Sequence, residues 1–151
     1  MVNQARHRLA FHGALMLFLG MVYGLYVALV MTDKVPGHGE IALGSHLNAL
    51  MGAFWLLGMG WSLAYIKLSD GLLQWCVWMT IVGAWANWII TIFKAITGDV
   101  AIEFTTHWSN NVLFGARALL VIIPCIVGPA IWAWGLRRGS GGVGQAVTRT
   151  R

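Results

Sequence analysis

The chain is built from long apolar runs separated by short polar clusters. Between Arg8 and Asp33 lie 24 residues with no Asp, Glu, Lys or Arg, between Glu40 and Lys67 there are 26, and between Asp70 and Lys94 there are 23. Each run exceeds the roughly 20 helical residues that cross a hydrocarbon layer of about 30 Å. A fourth run, Val112 to Leu136, contains only Arg117, near its start, where a long side chain can extend to the interface. The pattern predicts spans over 10–31, 46–66, 72–94 and 111–136. They are expected to be helices, because an open sheet would leave backbone groups unpaired in lipid. The expected fold is an all-α integral membrane four-helix bundle. It forms a single domain over 1–138, followed by a disordered cytoplasmic tail over 139–151 that is rich in Gly and Thr.

Composition agrees with this pattern. Of 151 residues, 58% are hydrophobic and 10% are charged, with a mean hydropathy of +0.71. A soluble domain carries about 25% charged residues. The ten basic residues are scattered, so no nucleic-acid partner is expected. Arg6, Arg8, Lys67, Arg137, Arg138, Arg149 and Arg151 fall on one side of the four spans, and Lys34 and Lys94 on the other. This asymmetry predicts that both termini are cytoplasmic, in a bacterial inner membrane. The first apolar run continues to Met31, beyond the length of a secretory core, and reads as a permanent helix. Cys76 and Cys125 form no Cys-x-x-Cys pair and read as packing residues.

Polar side chains inside spans carry the candidate chemistry, since lipid penalises them unless they face a partner or ligand. His12 shares a helix face with Met16, Gly20 and Gly24, a stripe of small residues that suits close helix packing. The imidazole could bond a carbonyl or headgroup, or serve a cofactor or substrate. His46 has Ala49 and Ala53 three and seven residues on, a spacing that admits a flat group such as a haem or, equally, a tight helix crossing. Asn87 and Thr91 are one turn apart, and Trp85 and Trp88 flank the amide in sequence, to hold an arene or simply to pack. His107 and Trp108 lie in a polar and aromatic cluster before the last span. Arg117 either reaches the interface or pairs with an anion such as a propionate. No phosphate loop, nucleophile elbow, His-Glu-x-x-His or intramembrane carboxylate pair is present, so hydrolysis and phosphoryl transfer have no support. Three classes remain: a membrane enzyme, a b-type cytochrome with His12 and His46 as axial ligands, and a cofactor-free transporter or structural subunit.

Four motifs appear in the same order, one at each span: Arg8-Leu9-Ala10-Phe11-His12-Gly13, Ser45-His46-Leu47, Trp85-Ala86-Asn87-Trp88, and a His just before the last span. From about residue 6 to 138 the chain resembles the small membrane isomerases that include hydroxylaminobenzene mutase and styrene oxide isomerase. The resemblance implies four helices, a homotrimer, and haem b held by His46 as its metal ligand, with Ala49, Ala53 and Arg117 around the cofactor. It further implies a small hydrophobic aromatic substrate, with Asn87, Thr91 and His12 in catalytic positions and Trp85, Trp88 and His107 lining the substrate site. Thr91 stands where the epoxide isomerase has Tyr, which favours the mutase branch: arylhydroxylamine to aminophenol, with ferric haem as a Lewis acid. Epoxide to aldehyde isomerisation is the alternative. Gly52-Ala53 replaces an Asn-Gly pair of the family.

Overall fold

A computed structural model describes residues 2–99 and 101–140. It contains α1 (Val2–Met31), α2 (Gly39–Ser62, continued by a 3-10 turn Leu63–Tyr65), α3 (Asp70–Thr97), α4 (Trp108–Arg117) and α5 (Ile123–Ser140). A π-helical turn, Ala118–Ile122, joins α4 to α5, so the two act as one span. Four spans therefore cross, each long and apolar enough to traverse a membrane. All four extend past the expected boundaries. Charge-free runs mark only the hydrocarbon layer, whereas backbone hydrogen bonding continues through the interface, taking Arg6, Glu40, Asp70 and Arg137 into helices. Gly139 and Ser140, placed by the sequence pattern in a disordered tail, are helical; the rest of that tail lies outside the described residues.

Helix ends follow local chemistry. Asp70 opens α3 and Lys94 closes it, each favourable to the helix dipole, and Gly98 adopts φ +77° so that its amide can donate to the Lys94 carbonyl. The π turn precedes Pro124. Proline has no amide hydrogen to donate to the preceding turn, and a wider turn accommodates the missing bond without ending the helix.

Apolar side chains gain little by leaving lipid, so the helices associate through close packing. The α1–α2 contact is the most extensive and depends on small residues. A methyl group on Gly20 would meet the Ala49 Cβ at 2.8 Å, and one on Gly52 would meet the Met16 Sδ at 2.8 Å. Leu9, Met16, Leu56, Val77 and Thr80 form the fully buried centre. α5 lies on the outer side of α3, where Cys76 Sγ donates to the Gly128 carbonyl at 3.3 Å. The backbones of α2 and α5 make no contact. At the end of the bundle that carries the N-terminus, α5 meets the 3-10 turn and the loop that follow α2: Trp132 Nε1 donates to Ser62 Oγ (3.1 Å), and the Lys67 amide donates to the Gly135 carbonyl (3.1 Å). Above this tie the helices leave a cleft whose floor is α3.

Candidate functional site

The cleft has a cavity volume of about 240 Å³ and is lined by Asn48, Met51, Gly52 and Trp55 of α2, Gly83, Ala84 and Asn87 of α3, and Cys125 of α5. Asn48, Met51, Gly52 and Trp55 recur at i, i+3, i+4 and i+7, so one stripe of α2 forms a wall. Met51 is 68% exposed, and the cleft opens toward the surface that lipid covers. Two carboxamides border this apolar space. The Asn87 side chain is half-buried and has no hydrogen-bond partner among the described residues. Asn48 Nδ2 makes one long contact, 3.5 Å, to Thr91 Oγ1. An amide without partners in hydrocarbon costs about 2–7 kcal/mol, so the pair is poised to receive a polar atom of a ligand.

Thr91 supports the site from behind. Its Oγ1 lies 2.8 Å from the Asn87 carbonyl oxygen, 2.9 Å from that of Trp88 and 3.3 Å from Ser45 Oγ. The Tyr23 hydroxyl approaches Ser45 without meeting hydrogen-bond geometry. A hydroxyl chain thus crosses from α3 to α2, with Asn48 at its cleft end. Sequence reasoning placed Asn87 and Thr91 on one face, and both help to build this site. It missed Asn48 and Ser45, whose signal is the polar and small stripe of α2.

His46 turns the other way, toward α1. Its Nδ1 is 2.9 Å from the Gly20 carbonyl oxygen, and its ring packs on Gly24, where a methyl group would meet Cε1 at 3.1 Å. A ring that donates from Nδ1 to a backbone carbonyl has its Nε2 lone pair free, the arrangement common to metal-ligating histidines. The donor chemistry of His46 therefore fits an axial ligand of haem. Ala49 and Ala53 do not fit beside it as expected. Both are fully buried against α1, Ala49 under Gly20 and Ala53 under Gly13, so no flat group can lie between them. Arg117 does not join His46 within one chain either, because α4 packs on α3 and makes no contact with α2.

His12, Trp85 and Trp88 occupy a separate seam between α1 and α3. Ring centroids are 6.3 Å apart for His12 and Trp85, 5.7 Å for Trp85 and Trp88, and 6.1 Å for Trp88 and Tyr23. The tryptophans flank Asn87 in sequence but not in space, since residues two apart on a helix are separated by about 200° while residues three apart share a face. His12 and His46 cannot share one iron in this chain. His46 bonds Gly20, eight residues or about 12 Å along α1 from His12, whereas two nitrogens on one metal lie about 4 Å apart. His107 is exposed at the start of α4, in a loop apart from the cleft. The amides around it hold that loop: Asn110 bonds the Ala101 amide and the Glu103 carbonyl, and Asn111 bonds both backbone groups of Thr105.

A family model described as styrene oxide isomerase matches residues 5–137. No curated protein matches the chain.

Proposed function

The chain belongs to the styrene oxide isomerase family, and on that premise we propose that this integral membrane isomerase converts a small aryl epoxide to the corresponding aldehyde in the cleft between α2, α3 and α5. The observation that carries the location is the pair of carboxamides, Asn48 and Asn87, facing a lipid-open apolar cavity. The reaction is redox-neutral. The benzylic C–O bond breaks, a hydride moves from the neighbouring carbon to the benzylic carbon, and the oxygen becomes the carbonyl. Negative charge grows on the oxygen as the bond breaks, and the side-chain N–H groups of Asn87 and Asn48 donate to it. Positive charge grows on the benzylic carbon, beside the Trp55 ring. No carboxylate or amine borders the cleft, and its apolar walls keep water scarce, so migration within the substrate outcompetes capture from outside.

His46 is the residue that would hold haem b, which when bound would supply a Lewis acid; within one chain that acid would lie on the α1 side and not in the cleft, so it would reach a substrate oxygen only in the cleft of a neighbouring copy. Its ring leaves α2 toward α1, and Asn48 leaves α2 toward the cleft. The homotrimer belongs to this reading, since a cyclic ring joins two different faces of neighbouring copies. Both termini are assigned to the cytoplasm of a bacterial inner membrane from the seven-to-two distribution of basic residues.

A second reading rests on Thr91, which places a small hydroxyl at the back of the site: arylhydroxylamine rearrangement to an aminophenol in the same cleft. One experiment separates the readings. Detergent-purified protein is given styrene oxide and phenylhydroxylamine separately, products are identified by chromatography, and the absorption spectrum is recorded alongside. Phenylacetaldehyde formation that is lost in Asn87→Ala supports the epoxide reading and the cleft. Aminophenol from phenylhydroxylamine, with styrene oxide unchanged, replaces it with the mutase reading. A Soret band in the wild type that disappears in His46→Ala supports the haem assignment, and its absence from the wild type removes haem.

A further inference from the structure

At the end of the bundle that carries the N-terminus, Arg8 of α1 reaches across to α3. Its Nη1 donates to Gln74 Oε1 at 3.0 Å, and its guanidinium carbon lies 5.5 Å from the centroid of the Trp78 ring. These are its contacts among the described residues, and no ion pair joins it to a carboxylate, including Asp70 one turn before Gln74. A guanidinium has five N–H donors, so several remain free. Beside it is a cavity of about 260 Å³ lined by Gln74, Trp75 and Trp78. Trp75 is 67% exposed and Trp78 46%. Arg6, Lys67 and Arg138 lie at the same end, where Arg138 stacks 3.9 Å above the Trp134 ring.

We propose that Arg8, Gln74, Trp75 and Trp78 form a binding site for the headgroup of an anionic phospholipid, with the phosphate on the Arg8 guanidinium and the glycerol and first acyl carbons between the two indoles. Three features carry this assignment. The cation is positioned rather than free, held by Gln74 and stacked on Trp78, so little side-chain entropy is lost when it takes a phosphate. Its remaining donors have no internal acceptor, and a planar guanidinium matches phosphate oxygens in a forked geometry. Indoles beside the cation favour the depth at which phosphate meets acyl chain. The site is separate from the cleft and does not depend on the reaction assigned there.

Native mass spectrometry of the detergent-solubilised protein tests this site, with phosphatidylglycerol and phosphatidylcholine of identical acyl chains titrated in turn. The wild type is expected to retain phosphatidylglycerol about tenfold better than phosphatidylcholine. Arg8→Gln and Trp75→Leu should each bring that ratio close to one, the first by removing the charge and the second by removing a wall. Arg6→Gln, which removes a charge outside the site, should leave most of the ratio intact. An equal loss in Arg6→Gln and Arg8→Gln would mean diffuse attraction and overturn the site, as would an unchanged ratio in Arg8→Gln. Displacement of phosphatidylglycerol by inorganic phosphate, but not by chloride at the same ionic strength, would assign the cation to free phosphate and overturn the lipid.

Discussion

Asn87 and Asn48 present similar chemistry with different support, and their substitutions should separate accordingly. Asn87 meets the cleft with nothing else to satisfy, so Asn87→Ala removes a donor that matters most as charge develops on oxygen. Its kcat should fall about 10²-fold with little change in thermal stability. Asn48 is tethered to Thr91, and Thr91→Val would release it. A loss of about tenfold in kcat/KM is expected for Thr91→Val, with the fold retained, because the hydroxyl acts by positioning an amide. Rescue by Thr91→Ser would separate this role from simple packing. An Asn87→Ala variant with wild-type turnover would remove the cleft from the mechanism. At this scale the sequence drew attention to His46, Asn87 and Thr91, since polar side chains inside apolar runs are conspicuous. It set Trp85 and Trp88 around Asn87, whereas the fold turns both into the seam with α1, because adjacency along a helix is not adjacency in space. Asn48 was given no role, because it was set off the face of the Gly52-Ala53 positions where the family carries its amide, whereas Asn48 and Gly52 line the same wall of the cleft.

The helices differ in how much each depends on one residue. α1 and α2 meet through glycines, so Gly20→Val would force branched carbon into a space where the first methyl already meets Ala49. We expect a loss of about 1–3 kcal/mol in stability, read as a lower unfolding temperature in detergent, and displacement of His46 from the Gly20 carbonyl. The glycine spacing in α1 was visible in the sequence, and its packing reading holds. The last span behaves differently. Pro124→Ala would restore an amide donor and allow the π turn to tighten to an α turn, rotating α4 relative to α5 by about 100°. Cys125, half-buried in the cleft wall, is a natural reporter: its rate of labelling by a small maleimide should change in Pro124→Ala. An unchanged rate would show that the π turn does not set the wall. Proline is evident in a sequence, but whether a helix breaks, kinks or widens around it depends on neighbours, here Gly83 against Pro124.

For the whole molecule, the arrangement of spans matters more than their number. α5 rests on α3 and leaves α2 free above the Trp132–Ser62 tie, so the cleft faces lipid. Under the proposed function, small aromatic substrates would partition into lipid and reach the cleft laterally. Met51→Trp should narrow that opening and raise KM severalfold while kcat changes little, as expected when access and ground-state binding are affected and the chemistry is not. A fall in kcat with KM unchanged would contradict lateral access. Orientation has its own test. A cysteine at Asn3, in a Cys76→Ala/Cys125→Ala background, should be labelled by an impermeant reagent only after the membrane is opened.

Sequence alone determined that the chain spans a membrane four times, because hydrocarbon thickness sets a minimum length of apolar helix and four runs meet it. It also indicated the family, since motifs at equivalent places in successive spans are properties of order along the chain. Only the tertiary structure decided which polar residues share a space. His46 faces α1 while Asn48 faces the cleft, and Asn87 is parted from the tryptophans on either side of it. Those outcomes depend on helix rotation, which close packing of small residues at each crossing selects and which periodicity alone leaves open.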